Sequence, residues 1–138
     1  MNLIVYYEKN KDILNIVSKF KNDYSADTYE IQTLNSVGFI DKLKNNRLPI
    51  KRCNLNLLNY ENVILITSLW HNVVPSPVIR FLEQSTGRIK KITYVLYNGN
   101  KEDKPREFEK MDKILNLRRD KSYFVSLNKK EITVRVYQ

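Results

Sequence analysis

Apolar residues along the chain group into short runs separated by stretches of helical spacing. Residues 3–7 (Leu-Ile-Val-Tyr-Tyr) form a first run that suits a buried strand. Ile13, Ile16, Val17 and Phe20 then recur at helical spacing, with Asp12 placed near the helix start, where it complements the dipole. Residues 28–32 read as a short second strand, and residues 39–46 as a weak helix that ends before Pro49. The segment 49–59 carries no clear period. Residues 63–66 (Val-Ile-Leu-Ile) are too few to span a membrane and lack the alternation of a half-exposed strand. They suit a parallel strand covered on both faces.

Pro75 and Pro77 fit a first helical turn, where a missing N–H costs nothing. Val78, Phe81 and Leu82 continue that helix, and Gly87 is placed to close it. Residues 91–97 form a further apolar run, followed by the turn residues Asn98, Gly99 and Asn100. Asp103 and Pro105 open a helix whose inner face is Phe108, Met111, Ile114 and Leu115. Residues 122–127 read as the last buried strand. Residues 132–137 alternate strictly, as a half-exposed edge strand does, with Asn128, Lys129 and Lys130 as the hairpin turn between them. Strand and helix in strict succession predict a parallel sheet with helices on both faces and right-handed crossovers.

Composition narrows this picture without changing it. A chain of 138 residues suits one domain, 1–138, with a continuous core. At 42% hydrophobic residues and only 3 Gly, an ordered globule is expected. There is no basic, small-residue-terminated leader at Met1 and a single cysteine, Cys53, so a cytoplasmic protein with Cys53 as a small buried apolar residue is the expectation. The net charge of +9 is uneven. From Arg88 onward there are 14 Lys and Arg against 7 Asp and Glu, an excess that favours acidic partners.

Known chemical signatures are sparse. His71 is the only histidine and no Cys-x-x-Cys occurs, so no zinc-type site is expected. Nucleophile-elbow, Walker and dinucleotide glycine motifs are absent, which removes support for hydrolase, kinase and nicotinamide-dependent readings. Basic residues alternate with acids on the helices, so direct nucleic-acid binding is not expected either. Most of the nine tyrosines sit in strands and are assigned to packing. Tyr97 differs because it ends a strand beside Asn98. The polar-aromatic residues Ser68, Leu69, Trp70, His71 and Asn72 lie between a buried strand and a helix, at the sheet edge where open α/β folds bind ligands.

The hydrophobic strand at 63–66, this aromatic loop, the Pro75-x-Pro77 start and the Phe81-Leu82 pair together resemble the flavodoxin-like family, and element order extends the likeness over nearly the whole chain. The run Val74 to Leu82 with the later Gly99 and Asn100 is also similar to the small flavodoxins that activate ribonucleotide reductase. The resemblance implies a three-layer sandwich with a five-stranded parallel sheet of order 2-1-3-4-5, to which 132–137 would add an antiparallel edge. It further implies FMN across the carboxyl ends of the first and third strands. Residues Glu8, Lys9, Asn10, Lys11, Asp12 and Ile13 would hold the phosphate at a helix N-terminus. Ser68, Leu69, Trp70, His71, Asn72, Tyr97, Asn98, Gly99 and Asn100 would flank the ring, with Trp70 and His71 offering aromatic faces.

The phosphate segment departs from the family. Where the family carries Ser/Thr-x-Thr-Gly-Asn-Thr, this chain has Glu8-Lys9-Asn10-Lys11-Asp12-Ile13, without a hydroxyl or a glycine. Glu8 and Asp12 would repel a dianion, while Lys9 and Lys11 would supply point charges in place of a shaped backbone nest. Two functions follow. One is an FMN-dependent electron carrier serving a redox partner, an electron-transfer protein and not an enzyme with its own substrate. The other is a domain of the same fold that has lost FMN and binds protein partners.

Overall fold

The structure, a computed structural model, describes residues 1–99, 106–128 and 131–137. The elements are β1 (Asn2–Tyr7), α1 (Lys11–Asp23), β2 (Ala26–Glu30), α2 (Phe39–Lys44), β3 (Asn62–Ser68), α3 (Ser76–Ser85), β4 (Ile92–Tyr97), α4 (Glu107–Leu115), β5 (Lys121–Asn128) and β6 (Glu131–Tyr137). A short 3-10 turn, Leu57–Asn59, precedes β3. The strands form one sheet in the order β2-β1-β3-β4-β5-β6. The first five are parallel and β6 pairs antiparallel with β5, which is the expected topology with its added edge.

Both faces of the central strands are covered. Leu3, Val5, Val63, Leu65, Tyr94 and Leu96 face α3 and α4, which contribute Val78, Phe81, Leu82, Phe108, Met111 and Leu115. Ile4, Ile64, Ile66, Val95 and Val125 face α1, which contributes Ile13, Ile16, Val17 and Phe20. That two-sided burial is why β3 and β4 read as unbroken apolar runs.

The second strand is Ala26–Glu30, not 28–32. It is an edge strand with half-exposed positions, so burial leaves its ends weakly marked, although the Ile31 N–H still donates to the Tyr6 carbonyl. The unpatterned segment 49–59 is held by local pairing. Ile50 bridges Thr33, and the Lys51 N–H donates to the Gln32 carbonyl at 2.8 Å. Cys53 is half-buried against the α3 side of the core. Gly87 follows the C-cap of α3 with φ of 77°, a left-handed turn that glycine adopts without penalty. The proposed helix start at Asp103 and Pro105 and the turn residues Lys129 and Lys130 lie outside the described residues. No helix among the described residues is long and apolar enough to cross a membrane.

Candidate functional site

Parallel strands deliver their following loops to one edge of the sheet. The loops after β1, β3 and β4 therefore meet at the carboxyl ends of adjacent strands, beside the N-terminus of α1.

Asn10 caps α1, its side-chain oxygen accepting from the Ile13 N–H at 2.9 Å. Ile13 itself is fully buried among the core residues under α1. The amides of Lys11 and Asp12 remain as first-turn donors without an intrahelical acceptor. Lys9 and Lys11 are exposed. Both acids of the segment are engaged elsewhere. Glu8 pairs with Lys42 Nζ at 3.0 Å and accepts from Trp70 Nε1 at 3.4 Å. Asp12 accepts from the Tyr97 hydroxyl at 3.0 Å. Burial first, and then Asp12, push the Tyr97 hydroxyl up to about 12.

The loop after β3 turns sharply. Trp70 and Val73 exchange backbone hydrogen bonds at 2.8 and 3.0 Å, and both residues between them, His71 and Asn72, take positive φ of 50° and 67°. This geometry is a two-residue primed turn that presents His71 and Asn72 to solvent. Asn tolerates that conformation because its side chain can bond locally, and here Asn72 Oδ1 accepts from Asn98 Nδ2 at 2.7 Å. The loops after β3 and β4 are thereby tied together. Ser68 ends β3 half-buried opposite Tyr97, and the Leu69 N–H donates to the Tyr97 carbonyl at 2.9 Å. Gly99 has φ of 59° and open space where a Cβ would stand. Asn100, expected beside the ring, lies outside the described residues.

Trp70 occupies a different role from an open stacking face. It is 6% exposed and part of the main core, edge-on to Tyr7 at 5.9 Å between ring centroids. Lys42 Nζ lies 5.9 Å from its ring centroid. Burial, followed by the charge of Glu8, raises the Tyr7 hydroxyl well above its usual range. Tyr7, Glu8, Trp70 and Lys42 thus form one packed unit, with Lys42 as its outer cover.

Helix α2 holds that cover in place. It has no buried residue, and Phe39, Ile40 and Leu43 are largely exposed. Its attachment is polar and lies just past its end. Asn45, with φ of 48°, donates to the Val74 carbonyl at 3.0 Å and accepts from the Ser76 N–H at 2.8 Å. The Ser76 hydroxyl donates to the Asn46 carbonyl. On the far side, the Val74 N–H donates to Glu107 at 3.3 Å, linking the same loop to α4. Among the described residues no group of three or more His, Cys, Asp or Glu is placed to hold a metal ion.

No protein-family model matches the chain, and no curated protein matches it. Solved structures do. A candidate flavoprotein from Bacteroides eggerthii superposes with a TM-score of 0.75 at 16% identity, over 89% of this chain and 86% of that one. A flavoprotein from Lactobacillus acidophilus in complex with FMN matches at 0.64 and 13% identity, over 91% of each chain. The apo-form of that Lactobacillus flavoprotein, solved by NMR, gives 0.66 at 14% identity over 86% of each chain. The chain has the flavodoxin-like fold.

Within this flavodoxin-like fold, the structure brings Lys9–Asp12, His71, Asn72, Asn98 and Gly99 to one edge, with Ile13, Trp70 and the ring of Tyr97 turned into the core and the Tyr97 hydroxyl reaching Asp12. Lys42 and Asn45, which control the loop and the tryptophan, were not legible in the sequence. Lys42 lies in α2 and Asn45 caps its end, and a helix with no buried residue has no apolar face to say where it docks. Their only advance signal is the charge complementarity of Lys42 to Glu8, 34 positions apart.

Proposed function

We propose that this protein binds FMN at the carboxyl edge and carries electrons to a protein partner. The observation that carries the reading is the meeting of three loops at the α1 N-terminus, with Asn72 and Asn98 joined across two of them. FMN is bound in a structure of the same fold.

The residues present fit the group. A phosphate needs donors and positive charge without competing carboxylates. Here Glu8 is neutralised by Lys42 and Asp12 is engaged by Tyr97, which leaves the Lys11 and Asp12 amides with the Lys9 and Lys11 ammonium groups to hold it. His71, Asn72, Asn98 and Gly99 would border the ring. FMN supplies the electron-transfer chemistry when bound. The chain's own residues bind and orient it, and the buried Tyr7–Trp70 unit keeps water from the inner wall. The partner is expected to be an acidic protein, given the net charge of +9. Activation of ribonucleotide reductase, suggested by the resemblance of the Val74–Leu82 run, is one delivery of this kind, and a cytoplasmic location would accord with it.

A second reading has its own support. Asn10 consumes a first-turn donor, Trp70 is covered, and Leu34, Phe39, Ile40 and Leu43 expose apolar surface beside the edge. A protein-binding module without FMN would show these features. Titration decides between the two. Saturable quenching of flavin fluorescence and a perturbed visible spectrum support the carrier, whereas free-flavin spectra at FMN concentrations into the high micromolar range support the module.

A further inference from the structure

A cavity of about 350 Å³ lies at the opposite, amino edge of the sheet, under the C-terminal half of α3. Its position follows from the topology, because α3 begins beyond the carboxyl end of β3 and returns to the start of β4. That size is at the small end of ligand pockets, which run roughly 300–1,000 Å³. Leu57 and Phe81, both almost fully buried, form an apolar floor with half-buried Leu55. Arg52 from the connection before β3 and Arg88 from the end of α3 line the cavity with exposed side chains.

The charges are unbalanced there. No acidic residue lines the cavity, and neither guanidinium belongs to an ion pair among the described residues. The nearest acid along α3, Glu83, is taken by Arg47 at 3.0 Å. Two forked cations above an apolar floor recognise a molecule with an anionic head and an apolar body, since the guanidinium geometry matches a carboxylate. We propose that this cavity is a binding site for a small carboxylate amphiphile, such as a medium-chain fatty acid, independent of any ligand at the carboxyl edge.

Cys53 lines the same cavity and is the only cysteine, so its thiol reports occupancy directly. Octanoate, held below its micellar concentration, should slow labelling of Cys53 in a saturable way. Octanol, which has the body without the charge, should protect far less, and butyrate, which has the charge without the body, should do the same. R52Q/R88Q, altered only at exposed positions and so expected to fold normally, should bind octanoate about tenfold more weakly. The proposal is overturned if octanoate gives no saturable protection into the low millimolar range. It is equally overturned if octanol protects as well as octanoate, or if R52Q/R88Q retains full affinity, because either result reduces the effect to unspecific apolar adsorption.

Discussion

Glu8→Gln isolates the electrostatics of the altered phosphate segment. Glu8 pairs with Lys42 at 3.0 Å, with the two side chains 30% and 39% exposed respectively, so the pair contributes at most about 1 kcal/mol to stability. Glutamine keeps a carbonyl oxygen for the Trp70 Nε1–H and a near-identical shape, so the core around Trp70 should stay intact. Ligand affinity should respond more. The substitution changes the pair from neutral to a net positive charge near the α1 N-terminus. At ~8 Å in an effective dielectric of ~40–80, each unit of phosphate charge gains roughly 0.5–1 kcal/mol, and a dianion about 1–2 kcal/mol. FMN should bind roughly 5- to 30-fold more tightly in fluorescence titrations at low salt. The gain should shrink as ionic strength rises and the Debye length contracts. Riboflavin, which lacks the phosphate, should show no change. Equal shifts for FMN and riboflavin, or none for FMN, would refute the placement of the phosphate at α1.

Trp70→Ala should cost about 3–5 kcal/mol in urea unfolding, because the ring is packed in the core; a loss under 1 kcal/mol would mean that the ring is free. Asn45→Ala removes two hydrogen bonds and places alanine at a positive φ, so it should destabilise the protein by roughly 1–2 kcal/mol and speed amide exchange throughout α2; unchanged α2 exchange would contradict the clamp. Tyr97 and Tyr123 both have hydroxyls raised to about 12 by burial first, so the folded state keeps protons that the unfolded chain already releases in the ordinary tyrosine range near 10. Their stabilisation is complete below about pH 10 and is lost as pH rises towards 12, and Tyr97→Phe should flatten that decline in urea midpoints. An identical alkaline slope in the two proteins would count against a shifted Tyr97.

The parts of the fold readable from sequence were those where burial imposes a period. β3 and β4 are covered on both faces and appear as unbroken apolar runs, and the face of α1 repeats every third or fourth residue. Pro75, Pro77 and Gly87 bounded α3 for backbone reasons that need no tertiary contact. Where burial is partial the reading slipped, as at β2, an edge strand that begins two residues earlier than its apolar positions suggest. At the candidate site, the loops were legible because topology alone brings them together. The orientation of side chains within them was not. Whether Trp70 faces solvent or core depends on Lys42 and Tyr7, contacts far apart in sequence that no local pattern encodes.

FMN, as proposed, binds where the loops after β1, β3 and β4 converge. Amide resonances followed through an FMN titration test this placement most directly. Saturable shifts should concentrate at Lys9–Asp12, His71–Asn72 and Asn98–Gly99, with Lys42 moving as well and residues around Arg88 unmoved. Saturable shifts centred elsewhere, or none at all as FMN reaches high micromolar concentration, would contradict it.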